Sequence, residues 1–126
     1  MQDQEAQKIL EDAYFKVAVQ VGTPGSARGY GKRKLSSAQR TAATEGNYYQ
    51  KARELLARAG NVVADEPECR LALYAVKGLG LRNPAVVELT FTDADVTVTA
   101  WAKEGLIPQK SAPKAVDAAL AGLGLA

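Results

Sequence analysis

Residues 85–102 read AVVELTFTDADVTVTAWA, and this stretch decides whether the chain is all helix or mixes helix with sheet. Val87, Leu89 and Phe91 alternate with Glu88, Thr90 and Thr92, the period of a strand with one buried face. Val96, Val98 and Ala100 alternate in the same way with Thr97, Thr99 and Trp101. Asp93-Ala94-Asp95 supplies turn residues between the two runs, which therefore predict an antiparallel hairpin. A second reading of 93–104 lets Thr92 cap a helix that ends at Gly105. Residues 96–99 are all β-branched, which is poor helix material, and this favours the hairpin. On that reading Trp101 shares a face with Thr97 and Thr99, away from the valines.

Upstream, residues 65–68 read DEPE. Asp65 as an N-cap, Pro67 in a first turn and Glu68 as the capping partner predict a helix from 65 to about 77. Cys69, Leu71, Ala72, Leu73, Ala75 and Val76 would cover most of its circumference, so it is expected to be deeply buried, with Cys69 a structural thiol. Before it, Ser36 or Ser37 opens a second helical region running to Ala59. Asn47 with Gln50 resembles a new capping box, so that helix is expected to break and restart there. Tyr48, Ala52, Leu55, Leu56 and Ala59 form its later apolar stripe. Tyr48 and Tyr49 must point apart, one into the core and one outward or into an interface. Residues 46–77 thus predict a helical hairpin, which resembles a single tetratricopeptide unit in the order of Gly46, Tyr49, Ala52, Leu56 and Pro67. One copy cannot stack, so it is read as an ordinary helical pair.

The first helix is expected over residues 3–20, with Ile9, Leu10, Ala13, Val17 and Val21 at three-to-four spacing and Gly22 closing it. Residues 22–36, GTPGSARGYGKRKLS, hold four glycines and one proline and predict a long flexible basic loop or arm. Downstream of the hairpin, 106–126 are expected to be a linker and a last helix from Ser111. Val116, Ala119, Leu120 and Leu123 would line one side of it. The predicted architecture is one α+β domain, helix-dominated, with about four helices, one late β-hairpin and a basic glycine-rich loop after helix 1.

Composition limits the chemistry. The chain has 126 residues, 16 basic and 14 acidic side chains, no histidine and one cysteine. No histidine-based catalytic relay, imidazole metal site or intrachain disulfide can form within it. The polar, acidic start lacks the pattern of a secretory leader, and no run approaches a membrane span. A cytoplasmic (or virion) setting with no membrane partner is therefore expected. No cofactor or metal is expected, and no catalytic residue is assigned.

The charge is unevenly placed. Residues 1–60 carry ten basic and six acidic side chains, while 61–126 carry six and eight. Between Asp12 and Glu45 every charged residue is basic. Arg28, Lys32, Arg33, Lys34 and Arg40, with Tyr30 among them, form the candidate contact for nucleic acid or for a protein partner. Arginine and lysine on a pliable backbone neutralise phosphates, and an exposed Tyr30 would stack on an unpaired base. Trp101, Tyr48, Leu120 and Leu123 are the candidate interface residues, since aromatic and apolar anchors carry protein contacts.

Two functions follow as expectations. The first is a non-enzymatic structural or assembly subunit of a larger particle. It would be a homo-oligomer or join other protein subunits through the basic arm, the hairpin and the C-terminal helix. Phage-type head and tail components share this layout, which is an analogy of architecture alone. The alternative is a small nucleic-acid-binding protein using residues 28–40 on phosphates.

Overall fold

In a computed structural model, described for residues 1–22, 29–75, 79–81, 83–105 and 109–125, the chain forms one five-stranded antiparallel sheet with helices on both faces. Helix α1 spans Asp3–Gln20, and β1 spans Lys34–Ala43. Helix α2 (Tyr49–Leu56) runs into a short 3-10 turn, Ala57–Ala59. Then come β2 (Gly60–Glu66), β3 (Arg70–Ala75), β4 (Ala85–Phe91), β5 (Asp95–Glu104) and α3 (Ser111–Gly122). Strand order is β1-β5-β4-β3-β2, so β2 to β5 form a meander and β1 joins at the far side of β5.

The late hairpin is present as expected. Leu89 lies opposite Val98 and Phe91 opposite Val96, with Thr92 holding the turn by bonds to Asp95. The rest corrects the helix-dominated expectation: helix and strand take comparable shares, 40% and 36%. The predicted long loop at 22–36 is not evident either. Residues 29–31 are helical and β1 begins at Lys34, while 23–28 lie outside the described residues.

Three segments read as helix are strand or turn. The first is β1, where Ser36 and Ser37 sit within a strand instead of capping a helix. Its residues are small or polar on both faces, so neither period shows in the sequence, and pairing along the whole of β5 overrides local helix propensity. The second is β3, where Leu71, Ala72, Leu73 and Ala75 are all buried. A central strand covered on both faces reads as a continuous apolar run, which period alone does not separate from a buried helix. The third is DEPE. Asp65 and Glu66 end β2, and the Cys69 amide donates to the Glu66 carbonyl at 2.9 Å, closing a four-residue turn. Pro67 takes the second position of that turn, and Glu68 the third with φ 64°. Acidic residues and proline suit a turn as well as a helix start. Cys69 is consequently exposed rather than buried, and the expected helical pair at 46–77 is replaced by α2 and a β-hairpin.

A helix does begin just after Asn47, whose side-chain oxygen accepts from the Tyr49 amide, but it is no restart: a strand precedes it, and Gln50 bonds Glu54 instead of closing a capping box. Tyr49, Ala52 and Leu56, at three-to-four spacing, bury one side of α2. They meet Leu71, Leu73, Val87, Leu89, Val96 and Val98 on the first face of the sheet. Helix α3 completes that layer with Ala112, Ala115, Val116, Ala119, Leu120 and Leu123. Each fully buried leucine or valine contributes about 1.5–3 kcal/mol. This face therefore carries most of the stability.

The opposite face is covered by α1. Ala6 and Leu10 pack on Val86, Trp101 and Tyr30. The Trp101 indole N–H donates to Asp3 at 2.8 Å. The second half of α1 is seated less fully: Ala18 is buried and Tyr14 packs on Tyr30, but Phe15, Val17, Val19 and Val21 are each more than half exposed. Beneath α1, the Glu88 carboxylate takes the Met1 amine at 2.8 Å and the Arg70 guanidinium, closing a buried charge cluster.

Candidate functional site

The charged residues are sorted by the strand directions. β1 ends, β5 begins, β3 begins and both β2 and β4 end at one edge of the molecule, hereafter the upper end. The connections there are residues 44–48, 67–69 and 92–94. They and the flanking strand ends carry Glu45, Glu66, Glu68, Asp93 and Asp95. These turns are tied together. The Thr44 amide donates to the Ala94 carbonyl at 2.8 Å, and the Asn47 side chain donates to the Glu68 carbonyl at 2.9 Å. Basic residues also reach this end: Arg70 is spent on Glu88 and Glu66, Arg53 pairs with Asp65, and Lys51 lies against the Tyr48 ring. Glu45, Glu68 and Asp93 are exposed and have no ion pair among the described residues.

The lower end carries the opposite sign. Lys32, Arg33 and Lys34 lead into β1, Arg58 precedes β2, and Lys110 and Lys114 flank the start of α3; all six are exposed. Glu104 stands among them but accepts the Gln109 amide at 3.1 Å and the Ser111 amide at 2.8 Å. A ten-residue strand spans about 33 Å. The screening length at physiological salt is about 8 Å. The two ends therefore do not feel each other within one molecule, and each presents its charge outward.

The basic segment is fixed to the sheet rather than free. Tyr30 is buried, its ring stacked on Tyr14 with centroids 4.1 Å apart and planes 2° from parallel. The Arg33 guanidinium lies 5.5 Å from the Tyr30 centroid, and the Lys103 ammonium 5.7 Å from it. Lys103, itself buried on β5, donates to Glu11 at 2.6 Å and to the Gly31 carbonyl at 2.9 Å. α1 and β5 together therefore hold residues 29–33 in place. Among the described residues the buried Tyr30 hydroxyl has no hydrogen-bond partner, and desolvation first, then the neighbouring Tyr74, drives its pKa well above the usual tyrosine range. A ring in this position is not open to a base.

The other sequence-derived candidates are dispersed. Arg28 lies outside the described residues. Arg40, on β1, pairs with Asp117 of α3 at 3.1 Å, both side chains exposed. Trp101 is buried beneath α1. Leu120 and Leu123 belong to the first-face core. Tyr48 is half-buried with the Lys51 ammonium 4.9 Å from its ring, while Tyr49 enters the core, the divergence their adjacency required. The structure thus brings together Lys32, Arg33 and Lys34, with Tyr30 buried beneath Arg33, and places Leu120 and Leu123 in the first-face core, apart from Trp101 on the opposite face.

Sequence reasoning read Asp93 and Asp95 as a turn and DEPE as a helix start but missed that they converge with Glu45 at one end, and it missed Arg58, Lys110 and Lys114. These residues are scattered along the chain and converge only through the strand order. A turn-by-turn tally of charge along the late hairpin gives the one local clue, Asp93 and Asp95. Among the described residues no three His, Cys, Asp or Glu side chains converge to hold a metal ion, and no helix is long and apolar enough to cross a membrane. No family model, curated protein or solved structure matches this chain.

Proposed function

We propose that the chain is a non-catalytic structural subunit that assembles with other protein subunits through its two oppositely charged ends. The observation that carries this is the sorting of exposed charge. Glu45, Glu66, Glu68 and Asp93, with the half-buried Asp95, lie at one end of the sheet, and Lys32, Arg33, Lys34, Arg58, Lys110 and Lys114 at the other. Hydrogen bonds between the acidic turns, and the Tyr14–Tyr30–Lys103 anchor under the basic segment, support both ends as rigid surfaces. Pre-set charge of this kind steers association and fixes orientation more than it adds raw affinity. The contacts are made by the basic segment and the hairpin turn, while the C-terminal helix acts as core.

A second reading is favoured by one observation, the exposed run Lys32-Arg33-Lys34. This reading places phosphates of a nucleic acid on the lower end. Without a stacking tyrosine, such binding is backbone-directed and strongly salt-dependent.

Sedimentation velocity across 50–500 mM salt tests the assembly reading. The expected result is a concentration-dependent larger species whose population falls as salt rises. A protein that is monomeric at every salt and concentration, and joins no other subunit, refutes it. Titration with fluorescent single-stranded and duplex oligonucleotides tests the second reading. Binding that weakens in Lys32→Ala/Arg33→Ala/Lys34→Ala with a shallower salt slope supports it, and no binding at low salt removes it.

A further inference from the structure

The sheet has two edges, and they differ. β2, at one edge, is seven residues long, shifts register between Val62 and Ala64, and ends in Asp65 and Glu66. A bulge and charges are the usual defences of an edge against added strands. β1, at the other edge, is ten residues long and pairs with β5 without a register shift from Lys34 to Ala43. It holds no proline and two charges, Lys34 and Arg40. Among the described residues nothing pairs with its outer side. A regular strand of this length presents a row of open backbone donors and acceptors.

We infer that β1 is a self-pairing edge: two copies join antiparallel through β1 to make a continuous ten-stranded sheet about a twofold axis. This names one partner, a second copy, for the assembly proposed above and rests on that reading. The charge pattern argues for the copy. An antiparallel partner lays its acidic upper end beside the basic lower end of the first molecule, and the twofold does so twice. A foreign strand carries no such guarantee.

The same charges choose the register. Residues facing each other across an antiparallel pair lie on the same face of the sheet, so the twofold passes through a residue, not between two. Centred on Arg40, the two guanidinium groups would face each other. Centred on Ser37, Lys34 would face Arg40. Like charges directly opposite are destabilising. Centred on Ala38, Arg40 faces Ser36 and Lys34 faces Ala42. Centred on Gln39, Arg40 faces Ala38, and the end of the ladder brings Arg33 of each copy alongside Glu45 of the other. The Gln39-centred register is the one that avoids repulsion and adds two opposite-charge pairs.

Single-cysteine cross-linking tests this. Cys69 is exposed, so each variant carries Cys69→Ser to remove the competing thiol. In the purified protein, Gln39→Cys is expected to oxidise to a disulfide-linked dimer at least tenfold faster than Ser37→Cys or Thr41→Cys. Dominant cross-linking at Ala38→Cys instead would keep the edge pairing and move its centre by one residue. A second measurement does not depend on thiol geometry. Glu45→Lys is expected to weaken self-association at least tenfold at low salt, and adding Arg33→Glu to restore it. No preference among the β1 cysteines, together with no rescue by the charge swap, overturns the inference. If the protein still associates in a salt-sensitive way, the assembly reading survives that failure. A Gln39→Cys variant that cross-links in lysate only to a different polypeptide overturns the second copy as partner.

Discussion

Glu88 offers the sharpest test of how the second face is held. Its carboxylate is buried between the Met1 amine, at 2.8 and 3.1 Å from its two oxygens, and the Arg70 guanidinium. Glu88→Gln keeps the shape and one acceptor but removes the charge and turns an amide N–H₂ toward a cation. Breaking one partner of a buried pair costs about 3–5 kcal/mol. The Arg70 side chain keeps 23% exposure and regains some water, which sets the expectation at the lower limit, about 3 kcal/mol. For a chain of this size that lowers the melting temperature by roughly 10 °C.

The pH dependence carries the sign. Burial alone raises the Glu88 pKa, but the hydrogen bonds and charges of the amine and Arg70 outweigh it and leave it below the ordinary value. In the unfolded chain the group titrates near ~4.3. Its contribution is therefore fully present above that pH and is lost as pH falls through the lower folded value. Urea unfolding followed by the single tryptophan, Trp101, is expected to show a constant gap between parent and variant above about pH 5, closing in stronger acid. A gap below about 0.5 kcal/mol at pH 7, within the noise of surface substitutions, refutes the reasoning. So does a gap that persists undiminished in strong acid.

Two further outcomes concern the backbone. Glu68 holds φ 64° in the turn after Pro67, a conformation that costs a side chain of this kind about 1 kcal/mol. Glu68→Gly is expected to raise stability by about 0.5–1 kcal/mol in urea unfolding, and a loss would show that the Glu68 side chain contributes more than its strain costs. A Cβ at Gly60 would meet the Tyr74 carbonyl oxygen at 2.3 Å and Ala75 at 2.9 Å, whereas one at Gly122 would meet only the tip of Leu56 at 3.0 Å. Gly60→Ala is therefore expected to cost about 2 kcal/mol and Gly122→Ala less than about 1, and the reverse order would contradict the packing described.

The strands visible in the sequence are those with one buried face and one polar face. β4 and β5 alternate because the face toward α2 and α3 is dry while much of the other bears threonines. β3 hid because helices cover both its faces, so its alternation vanished into RLALYA. β1 hid for the opposite reason: Ser36, Ala38, Gln39 and Ala42 give neither face an apolar signature, and its identity depends on β5, some sixty residues away in the chain. The basic segment was legible as charge, but the fate of Tyr30 was not. Glycines and lysines around it suggest exposure, and its burial is supplied by Tyr14 and Lys103, distant in sequence on either side.

The polarity of the molecule is not the polarity of the sequence. Divided at residue 60, the chain has a basic half and a weakly acidic half. In space, the acidic end takes Glu45 from the first half and Glu66, Glu68, Asp93 and Asp95 from the second. The basic end takes Lys32, Arg33, Lys34 and Arg58 from the first, with Lys110 and Lys114 from the second. What sorts them is the parity of the connections. In an antiparallel meander alternate turns fall at the same end, and α2 returns the chain from the end of β1 to the start of β2 across the length of the sheet. Carboxylates placed in turns of one parity and ammonium groups in the other yield a dipolar body whatever the order of charges along the chain. The antiparallel edge pairing uses this directly: a twofold through β1 sets each acidic end beside the other copy's basic end, which a parallel stacking of the same two edges would not do.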